Sequence, residues 1–145
     1  MKKKILFICV HNSARSQMAE AFVNQLCGGQ FEAQSAGLEP GTLNPIVVEA
    51  LWEVGLDISG KNPQGVSDVL RSGRRFSHVV TVCSEADAEA CPLFPGLAKR
   101  LHWPFPDPSK LTGSHEEKLA RVREIRDQIR RKVEQFCDEQ CALPA

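Results

Sequence analysis

The 145-residue sequence has no tyrosine, only two tryptophans, and no surplus of either charge: eighteen Lys and Arg stand against eighteen Asp and Glu. The cancelled charge leaves no global field to recruit nucleic acid or an anionic membrane, so any anion affinity must be local. No apolar run approaches the length that crosses a bilayer. Met1-Lys2-Lys3-Lys4 ahead of Ile5 to Val10 imitates a signal peptide. That apolar stretch is short, however, and meets His11-Asn12-Ser13 with no small-residue cleavage site, which predicts a buried strand with a solvated basic lead-in. Repeats, low-complexity tracts and an interdomain linker are also lacking, and the length suits one domain over 1–145. A cytoplasmic protein is expected.

There is no close Cys-x2-Cys knuckle and no paired-His motif, which argues against structural zinc, and no metal is assigned. Yet the chain holds six cysteines. In a cytosolic protein that number argues against a static disulfide framework and for catalytic or redox use. Cys27, Cys137 and Cys141 receive no catalytic role; the last two lie near a C-terminus expected to fray, where oxidation is adventitious.

Alternating strands and helices predict an α/β fold with one doubly wound, mostly parallel sheet. Ile5 to Val10 is a continuous apolar run, as for a strand covered on both faces. Met18, Ala19, Phe22, Val23 and Leu26 then recur at helical spacing up to Gly28-Gly29. Phe31 to Ser35 reads as a strand closed by Gly37, and Pro45 opens a helix whose apolar residues are Val47, Ala50, Leu51 and Val54. A short helix over Val66 to Leu70, a strand over His78 to Cys83 and a short strand over Leu101 to Trp103 follow. Residues 84–98 read as irregular. From Ser114 a long helix buries Leu119, Val122, Ile125, Ile129, Val133 and Phe136. Its arginines, interleaved with acids, suit a solvated salt-bridged face.

Cys9 and Arg15 bracket the turn between the first strand and the first helix. Backbone N–H groups of such a loop, Val10 to Ser16, converge on a tetrahedral oxyanion, and the helix dipole adds positive potential. Arg15 offers a planar fork that grips two oxygens, and the field that binds the anion favours a thiolate nucleophile at Cys9. Asn12 tolerates the left-handed backbone that a tight loop demands. Ser16 either donates its hydroxyl to Cys9 or caps the helix together with Ser13. His11 is expected to be exposed and not a base, and Ala14 completes the loop. Asp107, between Pro106 and Pro108, is the candidate general acid; the plainer reading is a turn residue. Cys83 and Cys91 bracket a polar segment, and eight positions of chain can bring two sulfurs into disulfide range, as in a dithiol relay.

Together these residues resemble the low-molecular-weight tyrosine phosphatase family and, within it, the arsenate reductases. The likeness runs through Cys9 to Glu20, Ser35-Ala36-Gly37, Val54 to Ser59, Val79 to Cys83, Ala90-Cys91-Pro92, His102-Trp103 and Asp107-Pro108. It implies a single three-layer αβα domain with a four-stranded, mostly parallel central sheet. It also implies a three-thiol relay for arsenic detoxification: Cys9 attacks arsenate, Asp107 protonates the departing oxygen, Cys83 displaces arsenite, and Cys91 resolves the disulfide. Phosphate or sulfate would mimic the substrate. No cofactor is bound; an external thiol reductant, thioredoxin or glutathione with glutaredoxin, closes the cycle, and a monomer is expected.

The alternative is a phosphatase of phosphotyrosine or aryl phosphates working through Cys9, Arg15 and Asp107. Phosphatases of the fold usually carry aromatics after the Asp-Pro pair, where this chain has Ser109-Lys110. A third possibility is a non-catalytic redox sensor. Ala14 stands where many relatives carry a second loop Cys. The relay pair is one residue further apart than in many thioredoxin-dependent relatives, and residues 112–117 look more like glutathione-associated members, so the donor stays open. Some relatives bind potassium near the positions of Asn12, Glu20 and Ser35, with Gln64 about where a further acidic ligand is expected.

Overall fold

The computed structural model describes residues 2–82 and 98–142. Its first strand, β1 (Lys3–Cys9), buries Ile5, Leu6, Phe7 and Ile8 completely, as a strand with helices on both faces must. β2 (Phe31–Gly37), β3 (His78–Thr81) and β4 (Lys99–His102) join it in the order β2-β1-β3-β4. Every pairing is parallel, so the expected mostly parallel sheet is wholly so.

The period of two along β1 divides the core. Ile5 and Phe7 face a layer built from α1 (Arg15–Leu26), α2 (Pro45–Trp52) and α4 (His115–Ala142), while Leu6 and Ile8 face α3 (Val66–Arg71). The result is the three-layer arrangement. The stripe expected on α4 is buried in full, from Leu119 to Phe136. Fully burying each such side chain is worth about 1.5–3 kcal/mol. The chain leaves β1 toward β2 and returns to the other side at β3, so the carboxyl end of β1 lies at a switch point of the sheet.

Three expectations change. β3 stops at Thr81, not Cys83: Val82 is beyond the strand, although its N–H still donates to the Ile8 carbonyl at 2.9 Å. Cys83, Cys91 and the irregular stretch to 97 lie outside the described residues. Arg126 does not join the solvated face of α4. It is buried, and its guanidinium donates to the Ala50 carbonyl at 2.9 Å and to Glu53 at 3.0 Å. Arg123 grips the same carboxylate with two bonds, at 2.9 and 2.6 Å. The Arg123 hydrogen bonds, outweighing burial and helped by Arg126, pull Glu53 down to about 2. The pair ties the end of α2 to α4.

The third change concerns the cysteines. Cys27, at the end of α1, is bonded to Cys137 on α4 across 110 residues, with the Cα atoms 5.9 Å apart. The expectation of no static disulfide and of adventitious chemistry at Cys137 is therefore corrected. Helix α4 continues past Cys137 instead of fraying before it, and its packing on α1 brings two buried thiols together. Opening so long a loop costs roughly 2–5 kcal/mol. Cys137→Ala, or reduction of the wild type, is accordingly expected to lower the unfolding free energy from urea titration by an amount in that range, with a lower midpoint. A midpoint indifferent to dithiothreitol would show that the bond does not stabilise the protein.

Candidate active site

Helix α1 opens without a side-chain cap: Ala14 holds the N-cap position, and the first intrahelical bond runs from Met18 N–H to the Ala14 carbonyl. The amides of Arg15, Ser16 and Gln17 thus begin a helix whose first donors lack intrahelical partners. The preceding loop is tacked down from outside. Carbonyls of Cys9, Val10, His11 and Ser13 accept from the N–H groups of Leu38, Glu39, Gly41 and Asn44 at 2.9 to 3.2 Å. The Asn12 carbonyl accepts from Gln17 Nε2 at 3.1 Å. In a trans peptide the N–H points opposite the C=O of its own unit. Carbonyls turned outward therefore turn the following amides inward, which makes a cradle for an oxyanion.

Asn12 is the turning point. Its φ of 54° is the one left-handed value at a non-glycine residue among the described residues. Its amide N–H donates to Cys9 Sγ at 3.1 Å. Its side-chain NH₂ donates to Ser16 Oγ at 2.8 Å, and its side-chain oxygen accepts from Gln17 Nε2 at 3.2 Å and from the Gln64 N–H at 2.9 Å. Ser16 Oγ lies 2.9 Å from Cys9 Sγ. Toward a Cys9 thiolate, which has no hydrogen to give, the Ser16 hydroxyl is the donor. Of the two roles considered for Ser16, the one toward Cys9 is observed and the cap is not. Two donors, one backbone and one hydroxyl, therefore aim at a single buried sulfur. His11 is exposed, with Nδ1 donating to the Glu39 carbonyl at 3.0 Å, as expected for a residue outside the chemistry.

Arg15 is 3 % exposed and reaches across to the loop after β4. Its guanidinium donates to the Phe105 carbonyl at 3.2 Å and stands 3.6 Å from the Asp107 carboxylate. The structure shows Asp107 as a turn residue and places it beside Arg15. Its Oδ1 accepts from the Ser109 N–H at 2.9 Å and hydroxyl at 2.7 Å, capping a short 3-10 helix (Pro108–Lys110). Its Oδ2 faces Arg15. Burial alone would push this carboxyl up. The Ser109 bonds, then the charges of Arg15 and Lys110, more than offset burial and hold Asp107 below its ordinary 3.8.

Cys9, Arg15, the loop and Asp107 thus come together. Gln17, Gly37 and Gln64 were not singled out from sequence as loop supports. A Cβ on Gly37 would lie 2.7 Å from the Asn12 nitrogen and from the His11 carbonyl carbon, so only glycine lets β2 pass this close beneath the loop. Its place just after a short strand, beside Ala36, is the signal that could have found it. Gln64 offers no such signal, because its partner Asn12 is far away in the chain.

The model of the low molecular weight phosphotyrosine protein phosphatase family matches residues 4–142. The chain belongs to that family. It is 41% identical over 140 residues to an arsenate reductase of Bacillus subtilis, covering 95% of this chain and 98% of the relative. A solved arsenate reductase in its phosphate-binding state superposes with a TM-score of 0.70 at 27% identity, covering 96% and 98% of the two chains. A thioredoxin-dependent arsenate reductase of Corynebacterium glutamicum superposes at 0.59 with 29% identity, over 93% of this chain and 63% of that one.

Two outcomes follow from the geometry. Gly37→Ala must displace the loop by about an ångström, and misplacement of that order costs about 10²-fold in rate; phosphate affinity and turnover should fall together, with a lower melting temperature, since such overpacking costs about 1–3 kcal/mol. Ser109→Ala removes the hydroxyl bonded to Asp107, so the carboxyl should titrate at higher pH in a carboxyl NMR titration. In the wild type this carboxylate stabilises the fold fully above its ordinary value, and that contribution is lost as pH falls through the lower folded value. In the Ser109→Ala variant that contribution should be smaller and its loss complete at higher pH, while the onset, set by the unfolded carboxyl, stays where it is.

Proposed function

We propose that the protein reduces arsenate to arsenite. The observation that carries attack on a tetrahedral oxyanion is the buried Cys9 sulfur, beside the Asn12 N–H and the Ser16 hydroxyl in a loop whose amides turn inward at the open end of α1. The named relatives favour reduction over hydrolysis of the adduct.

In this mechanism the loop amides and Arg15 bind the oxyanion, with Val10 to Ser16 lining it, and the Cys9 thiolate attacks arsenic. The oxyanion engages Arg15 and adds negative charge beside Asp107. Both changes raise the proton affinity of a carboxylate that is ionised in the free protein, so the proton arrives with the substrate and is delivered to the departing oxygen. A Cys9–arsenic(V) adduct and water result. The Cys83 thiolate then attacks Cys9 sulfur; the sulfur–arsenic bond breaks, and its electron pair leaves with arsenic as arsenite. Two thiols have lost two electrons and arsenic has gained them, leaving a Cys9–Cys83 disulfide. Cys91 attacks Cys83, frees Cys9, and passes a Cys83–Cys91 disulfide to an external dithiol. Similarity to a thioredoxin-dependent enzyme supports thioredoxin as that donor. No helix among the described residues is long and apolar enough to cross a membrane.

Cys83→Ser is expected to abolish multiple-turnover arsenate reduction and to leave slow aryl-phosphate hydrolysis, whereas Cys9→Ser removes both. A coupled assay with thioredoxin, or with glutathione and glutaredoxin, reads the first activity and assigns the donor. Sustained reduction by Cys83→Ser would overturn the relay. Aryl-phosphate hydrolysis with no arsenate turnover in the wild type would make the protein a phosphatase.

A further inference from the structure

Glu20 takes no part in the chemistry above, yet it is a carboxylate on α1 with 5 % of its surface exposed. One oxygen accepts from the Ser35 hydroxyl at 3.0 Å. The other faces Lys61 Nζ at 2.8 Å, as an ion pair without the alignment of a hydrogen bond. Lys61 comes from the loop before α3, is half exposed, and is anchored by its own N–H on the Ile58 carbonyl at 2.9 Å.

The family resemblance implies a potassium site near Asn12, Glu20 and Ser35, so the oxygens gathered here can be tested for that role. A hard cation needs several oxygens with lone pairs turned toward it. The Ser35 carbonyl accepts from Gln64 Nε2 at 2.8 Å, and Gln64 Oε1 accepts from Arg74 at 3.3 Å. The Asn12 side-chain oxygen accepts from Gln17 and from the Gln64 N–H. Glu20 is taken by Ser35 and Lys61. Two buried oxygens of this group, Gln17 Oε1 and Glu20 Oε2, accept no hydrogen bond, and the second is held by the Lys61 ammonium. Each remaining oxygen faces a proton donor or an ammonium, and two of the donors, Lys61 and Arg74, are themselves cations. The residues do not fit a bound monovalent cation.

We infer that Lys61 is the built-in counter-cation of Glu20 and a positioning residue for the oxyanion loop, making this protein independent of monovalent cations. The path is continuous: Lys61 to Glu20 on α1, Glu20 to Ser35 on β2, Ser35 to Gln64, and Gln64 to Asn12. Asn12 in turn donates to the Cys9 sulfur. Loss of the ammonium leaves a buried carboxylate without its charge partner, and the cheapest relief is movement of Glu20 and of the first turns of α1 with it. The inference concerns the oxyanion loop of the proposed function, but binding can be read without reduction.

The test measures inorganic phosphate affinity by calorimetry, and melting temperature, in potassium chloride and in choline chloride at equal ionic strength. The wild type should give the same melting temperature in both salts and phosphate constants within twofold. Lys61→Met should weaken phosphate binding five- to tenfold, Lys61→Arg should preserve it, and Lys61→Met with Glu20→Gln should recover most of what the single change lost. Should Lys61→Met fail to fold, the arginine and double variants carry the comparison. A wild type stabilised by potassium over choline would overturn the inference. So would a Lys61→Met protein that binds phosphate as the wild type does, or a double variant no better than the single. None of these readings depends on arsenate turnover, so failure of the reductase assignment would be seen separately.

Discussion

The left-handed turn at Asn12 is the constraint on which the site depends. An L-residue at positive φ pays about a kilocalorie or more per mole, least for Asn and Asp, and holds that conformation only when its surroundings require it. Here they do so from three elements. Ser16 and Gln17 on α1, the Gln64 N–H from the loop before α3, and the Cys9 sulfur at the end of β1 each take one of its polar groups. The same turn brings the Asn12 amide to the sulfur and reverses the peptide planes on either side. Anion cradle and nucleophile geometry are therefore one conformational fact, and any change that lets Asn12 relax loses both.

The second dependence is electrostatic. A guanidinium buried as deeply as Arg15 needs acceptors, and in the free protein they come from the loop after β4: the Phe105 carbonyl and Asp107. An incoming oxyanion offers better acceptors at the same donors. In the proposed mechanism Arg15 exchanges an internal carboxylate for a substrate, and Asp107 feels the exchange as a loss of positive charge. Binding and readiness of the acid would then be coupled through one side chain, with Ser109 setting how strongly the carboxylate is held ionised beforehand.

What was legible in the sequence was what is local. Cys9, Asn12, Arg15 and Ser16 fall within one strand-loop-helix unit, and their spacing with the apolar runs on either side predicts both fold and cradle. Asp107 was legible through its flanking prolines. Gln64 reaches Asn12 across 52 positions, and Cys27 reaches Cys137 across 110; neither carries a local pattern, since each pairing exists only once the sheet and α4 have formed. Arg126 misled for the same reason: interleaved charge on one helix says nothing about the carbonyl of Ala50 waiting on another. Gly37 lies between these cases, a glycine whose necessity comes from a backbone passing beneath it.

Displacement and reduction part company only after the adduct exists. Nothing in the loop distinguishes arsenic from phosphorus: amides, Arg15 and Asp107 respond to shape and charge, which the two oxyanions share. The distinction needs a second thiol attacking sulfur instead of water attacking the central atom, and arsenic, unlike phosphorus, leaves readily with the bonding pair. Val82, the residue before Cys83, donates to the carbonyl of Ile8, the residue before Cys9. The two thiols therefore follow hydrogen-bonded neighbours at the ends of β3 and β1. A fold that binds any tetrahedral oxyanion at the end of one strand needs only a cysteine after the next strand to redirect the chemistry. The choice between phosphatase and reductase then rests on the chain that follows Val82, while the cradle stays the same.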